Sequence, residues 1–86
     1  MSPYSVAFAR SARKELGSLD RALLARVLKR IEALAGHPRP AGCRKLVGQA
    51  NLWRIRVGDY RVIYEVDDGN RVVDVVAVRH RSAAYR

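Results

Sequence analysis

Cysteine is nearly absent from this sequence: Cys43 stands alone, which excludes an internal disulfide framework and a cysteine-rich zinc site. A reducing compartment is therefore the expectation, and the cytoplasm fits. Long apolar runs are missing as well. No segment approaches the roughly 20 apolar residues that a membrane span needs. The N-terminal stretch, with Arg10, Arg13 and Lys14 set in an amphipathic pattern, does not read as a signal peptide. No membrane partner is expected. Histidine is limited to His37 and His80, too scattered for a metal-ligand motif, and neither a metal nor another cofactor is expected. There is no repeat, low-complexity tract or interdomain linker, so residues 1–86 should form a single domain.

Acidic residues are also few: 8 Asp plus Glu stand against 17 Lys plus Arg, giving a formal charge of +9 and a pI of about 10.8. Such a surplus favours an anionic partner, because neutralising phosphates releases their counterions. Only Lys14, Lys29 and Lys45 are lysines. The rest of the positive charge is arginine, whose planar guanidinium suits bidentate phosphate contact. Hydrophobic residues make up 49% of the chain, enough for one core in a domain this small.

Tyr4, Val6 and Phe8 alternate with small or polar residues and predict a short first strand. Phe8, Ala12 and Leu16 then share one face of a helix that Gly17 can stop. A second helix is predicted from a cap at Asp20 or Ser18, with Leu23, Val27, Ile31 and Leu34 as its apolar stripe, flanked by Leu24 and Leu28. Its other face carries Arg21, Arg26, Lys29, Arg30 and Glu32, which reads as a solvated face or as a secondary RNA contact. The prolines and glycine of residues 37–42 mark an ordered connector, in which His37 reads as structural. Three strands follow, over residues 53–57, 60–67 and 71–79, with turns at Gly58-Asp59 and around Gly69. The expected fold is α+β in the order β-α-α-β-β-β, an antiparallel meander packed on one face by an N-terminal helical hairpin.

A two-residue loop at Gly58-Asp59 fixes a hairpin register in which Arg56 faces Arg61, Arg54 faces Ile63 and Trp53 faces Tyr64. Trp53, Ile55, Val57, Tyr60, Val62 and Tyr64 then face the core, while Arg54, Arg56 and Arg61 share the other side. Continuing the alternation puts Val73, Val75 and Ala77 on the core face, keeps Asp74 out, and brings His80 to the arginine side. Directly opposed arginines destabilise a sheet by about 0.2–1 kcal/mol, so an anion is their natural third party. Glu65 lies on the same face toward the far end of the hairpin. Cys43 shows no partner arrangement in sequence.

The segments Trp53-Arg-Ile-Arg-Val-Gly-Asp-Tyr-Arg-Val-Ile-Tyr64 and Val78-Arg-His-Arg-Ser-Ala-Ala-Tyr-Arg86 resemble the RelE family of the RelE/ParE toxin superfamily. The likeness spans nearly the whole chain, including the Pro38-Arg-Pro loop and Leu46-Val-Gly48. It implies a RelE-like fold of the microbial-ribonuclease type. The implied function is that of a toxin that enters the ribosomal A site, against 16S rRNA, and cuts mRNA there. It also implies a cognate antitoxin that silences the toxin in a hetero-oligomer. The implied reaction needs no metal: the ribose 2′-OH attacks the adjacent phosphate and leaves a 5′-OH end.

By this resemblance Arg54 and Arg56 occupy positions where well-known members carry lysines. Arg61 matches an arginine that contacts the scissile phosphate, Arg81 one that assists the leaving group, and Tyr85 a tyrosine that stacks on the mRNA. Lys45, Arg79 and Arg86 are further RNA-contacting candidates. A guanidinium with a pKa above about 12 is a poor general base, so His80 is the proton-transfer candidate on the residues themselves, against the alternative of a hydrogen-bonded strand-end histidine. Two other readings stay open: a ParE-like DNA gyrase inhibitor without nuclease activity, and a catalytically idle RNA-binding member.

Overall fold

The computed structural model describes residues 3–48 and 51–84. Strand β1 (Ser5–Phe8) leads into helix α1 (Arg10–Gly17) and helix α2 (Arg21–Ala33). Strands β2 (Arg44–Lys45), β3 (Leu52–Val57), β4 (Tyr60–Asp67) and β5 (Val72–His80) follow, with a short helix α3 (Arg81–Ala84) after them. The sheet order is β1-β5-β4-β3-β2. The α+β class and the β3–β4–β5 meander are as expected.

Two features go beyond the sequence reading. Strand β1 pairs in parallel with β5, Ser5 with Val72 through Phe8 with Val75, so the sheet is mixed. The two-residue β2 adds a fifth strand, pairing Arg44 with Arg54 and Lys45 with Trp53.

Local chemistry accounts for the helices. The Asp20 side chain accepts a hydrogen bond from the Leu23 amide at 2.9 Å, capping α2. Val27, Ile31 and Leu34 are buried against the sheet together with Ala12 and Leu16 of α1. On the sheet's side the core takes Ile55, Val57, Val62, Tyr64, Val66, Val73, Val75 and Val78. Gly58 adopts φ +60 in the β3–β4 turn, the left-handed conformation that a tight hairpin asks of its first central residue.

Helix side chains cap backbone groups of β5 and β3 beyond the short edge strands β1 and β2. Along β5, beyond its pairing with β1, Ser11 Oγ donates to the Val76 carbonyl at 2.8 Å and the Val78 amide donates to Glu15 Oε1 at 2.8 Å. Along β3, beyond β2, Arg30 Nη1 donates to the Arg56 carbonyl at 3.3 Å. Such caps occupy backbone groups that would otherwise template pairing with another chain.

At the opposite end of the sheet, Asp68 in the β4–β5 turn takes both guanidinium nitrogens of Arg39, one at 2.8 Å, and the Tyr4 hydroxyl. The Tyr64 hydroxyl donates to the Pro38 carbonyl at 2.6 Å. Burial above all, with the adjacent Cys43 thiol, pushes the Tyr64 phenol well up. Cys43 thus has a neighbour that the sequence did not reveal. These bonds lock the 37–43 connector onto the sheet.

Candidate RNA-contacting face

The β3–β4 register is the one the two-residue turn dictates: Val57 pairs with Tyr60, Arg56 with Arg61, Ile55 with Val62, Arg54 with Ile63 and Trp53 with Tyr64. Side chains alternate across a strand, so Arg54, Arg56 and Arg61 project from the face opposite the helices. Strand β5 extends the row, because Arg61 also pairs with Arg79. Three arginines from adjacent strands therefore stand side by side, with Arg44 and Arg54 forming a second pair next to them.

The members differ in exposure. Arg56 and Arg79 are exposed, Arg54 is half-buried, and Arg61 is only 3% exposed. A guanidinium does not give up its charge on burial, and in a less polar surrounding its field reaches further. Arg79 is also held from behind, its Nε 3.2 Å from Glu15 Oε2. Lys45 lies exposed on β2 opposite Trp53, whose ring lies beneath the Arg39 guanidinium. Arg81 opens α3, and its backbone amide donates to the Asp59 carbonyl at 2.7 Å, tying α3 to the hairpin turn beside the row. Tyr85 and Arg86 lie outside the described residues.

His80 does not join the arginines. The β4–β5 ladder slips by one residue at Ile63/Tyr64: Tyr64 pairs with Val75, but Ile63 pairs with Ala77. Val76 is the extra residue of this bulge, and it inverts the alternation beyond it. Val78, rather than Ala77, therefore faces the core opposite Val62, and His80 falls opposite Tyr60 on the helix side. The two rings meet edge to face at 5.4 Å. Nδ1 of His80 accepts from the Ser82 amide at 3.3 Å and lies 3.0 Å from Ser82 Oγ. That places the neutral ring's proton on Nε2 and engages the lone pair a base would use. Asp74 and Glu65 do lie on the outer face, paired with one another. Glu65 is four strand residues from Arg61, about 13 Å away. Among the described residues, no three His, Cys, Asp or Glu side chains come together as metal ligands would.

Sequence reasoning missed Arg44 and placed Arg30 only on a helix face read as solvated or as a secondary RNA contact. With Gly42, Arg54 and Arg56 these two arginines line a cleft of about 320 Å³ where β2 leaves the edge of β3. The helical spacing showed Arg30 off the apolar stripe but could not show that it turns to the sheet edge.

A family model described as the ParE toxin of the type II toxin–antitoxin system parDE matches residues 6–85. The chain belongs to the RelE/ParE family of type II toxins. Among curated proteins, Toxin RelE of Mycobacterium tuberculosis is 33% identical over 98% of this chain and 88% of its own length. Toxin RelG of the same organism is 33% identical over 98% of both chains. Among solved structures, the toxin in the archaeal RelE–RelB complex of Pyrococcus horikoshii superposes with a TM-score of 0.81 at 33% identity, over 92% of this chain and 96% of that one. A mutant of the E. coli toxin RelE in the free state gives 0.81 at 26% identity, covering 99% of this chain and 90% of the other. In this chain the RelE/ParE fold carries the arginine row on the sheet face opposite the helices.

Proposed function

We propose that this toxin is a ribosome-dependent endoribonuclease that cleaves mRNA in the A site. The row Arg56–Arg61–Arg79, with Arg81 beside it, is the observation that carries the reading. A scissile phosphate meeting this row is polarised by exposed Arg56, while buried Arg61 supplies a fixed positive field behind it. The 2′-oxygen bonds to phosphorus as its proton leaves, and the doubly charged phosphorane that forms is what preorganised cations stabilise most. The P–O5′ bond then breaks, leaving a 2′,3′-cyclic phosphate, and the departing oxygen takes up a proton with Arg81 assisting.

With His80 on the helix side, the proton acceptor falls to Tyr85 or to the ribosome-bound RNA. The named RelE and RelG relatives support this reading, as do basic side chains at positions 54 and 56 and arginines at 61 and 81. The silencing partner is an antitoxin, by analogy with the RelE–RelB complex. Its acidic or amphipathic segment would wrap the helices and cover the basic face on folding against it.

The ParE description of the matching family model favours a second reading, inhibition of DNA gyrase by binding alone. Brief expression followed by mapping of RNA 5′ ends and DNA breaks separates the two. In-frame mRNA cuts bearing 5′-OH ends are expected; double-strand DNA breaks without such cuts would overturn the nuclease reading.

A further inference from the structure

The cleft bounded by Arg30, Gly42, Arg44, Arg54 and Arg56 lies to one side of the arginine row, and its placement follows from how α2 docks. Burying Val27 and Ile31 turns Arg26 and Arg30, one helical turn apart, toward the β3 edge. The Arg26 guanidinium lies beside Gly58, Nη2 falling 3.6 Å from where a Cβ there would sit, and Arg30 reaches the Arg56 carbonyl. Gly42, at φ +91, lines the cleft as well, and a Cβ there would meet nothing within 4 Å. The arginines Arg30, Arg44, Arg54 and Arg56 line the space, with no carboxylate among the described lining residues.

We propose that this cleft is a second phosphate-binding subsite, holding the RNA backbone next to the scissile link, with Arg30 and Arg44 as its positioning residues. It rests on the endoribonuclease reading and extends the substrate contact beyond the reacting phosphate. Arg54 and Arg56 stand about 6.7 Å apart along β3, comparable with the step between successive phosphates of an extended single strand. Arg56 faces both the row and the cleft, so a chain crossing the row delivers its next phosphate into the cleft. Arg44 and Arg54 are direct cross-strand neighbours, and a phosphodiester offers two acceptor oxygens for bidentate guanidinium contact.

The test is binding of an uncleavable 2′-deoxy oligonucleotide to the full chain, followed by fluorescence anisotropy across a salt series, with circular dichroism confirming the fold of each variant. Each phosphate neutralised on a single strand contributes about 0.7 to the slope of log affinity against log salt. Arg30→Ala and Arg44→Ala should each lower that slope by about 0.7 and weaken binding several-fold. Arg30→Lys should keep the slope, since the charge remains, whereas a merely structural role for the Arg56 carbonyl contact would not track charge. Arg21→Ala, at the far end of α2, should leave slope and affinity unchanged. Wild-type titrations for Arg30→Ala and Arg44→Ala would overturn the subsite even with mRNA cleavage intact. A lowered slope in a protein that cuts no mRNA would keep the subsite and remove the nuclease reading instead.

Discussion

In the proposed reading the chemistry turns on Arg61, which combines a central place in the row with near-complete burial. Loss of one preorganised charge donor costs about 10²–10³ in rate, so Arg61→Ala and Arg81→Ala should each lower mRNA cleavage by that order and restore growth to expressing cells. Thermal melts distinguish this from unfolding, which is a concern for buried Arg61 and not for exposed Arg81. His80→Ala makes the contrasting case: with the ring on the helix side and Nδ1 engaged by Ser82, the variant should cut mRNA within a few-fold of wild type. A loss as deep as that of Arg61→Ala would return His80 to the site. The sequence misplaced this residue for a definable reason. Val72, Val73, Val75, Val76, Ala77 and Val78 are apolar on both faces, so an extra residue leaves no trace in the hydrophobic pattern.

The β3–β4 hairpin was legible residue by residue because the Gly58-Asp59 turn fixes register, and one slipped residue would have exchanged its faces. Gly58→Ala tests that dependence: at φ +60 a Cβ costs about 1–2 kcal/mol, and the melting temperature should fall accordingly. No change would mean the turn is not what sets the register. Strand β2 escaped notice because two residues carry no periodicity, and the parallel β1–β5 pairing because it joins segments more than sixty positions apart, for which local pattern holds no signal. The cleft was illegible for a related reason. The helix pattern gave the side of α2 that Arg30 avoids, while its contact with β3 depends on how α2 docks.

At the scale of the whole molecule, the two ends of the sheet do different work. The end bearing Asp68 is structural: hydrogen bonds from Arg39 first and Tyr4 second hold its carboxyl down to about 2. A folded-state value below the unfolded one, about 3.9, means that stabilisation is complete above about pH 4 and is lost as the pH falls toward about 2. Wild-type melting temperatures should drop across that window, and Asp68→Asn should flatten the drop; an unchanged profile would show that the Arg39–Asp68–Tyr4 cluster does not brace the fold. The opposite end carries the arginine row, and a formal charge of +9 should make its encounters with RNA steeply salt-dependent. Cleavage of mRNA on the ribosome is the proposed role of this row. It is tested most directly by single-turnover cleavage on programmed ribosomes at saturating toxin, with 5′-end analysis, for wild type and Arg61→Ala. The expected result is wild-type cutting in the A site with 5′-OH ends, slowed about 10²-fold or more in the variant. Absence of A-site cutting by the wild-type protein, or equal rates for the two, would contradict it.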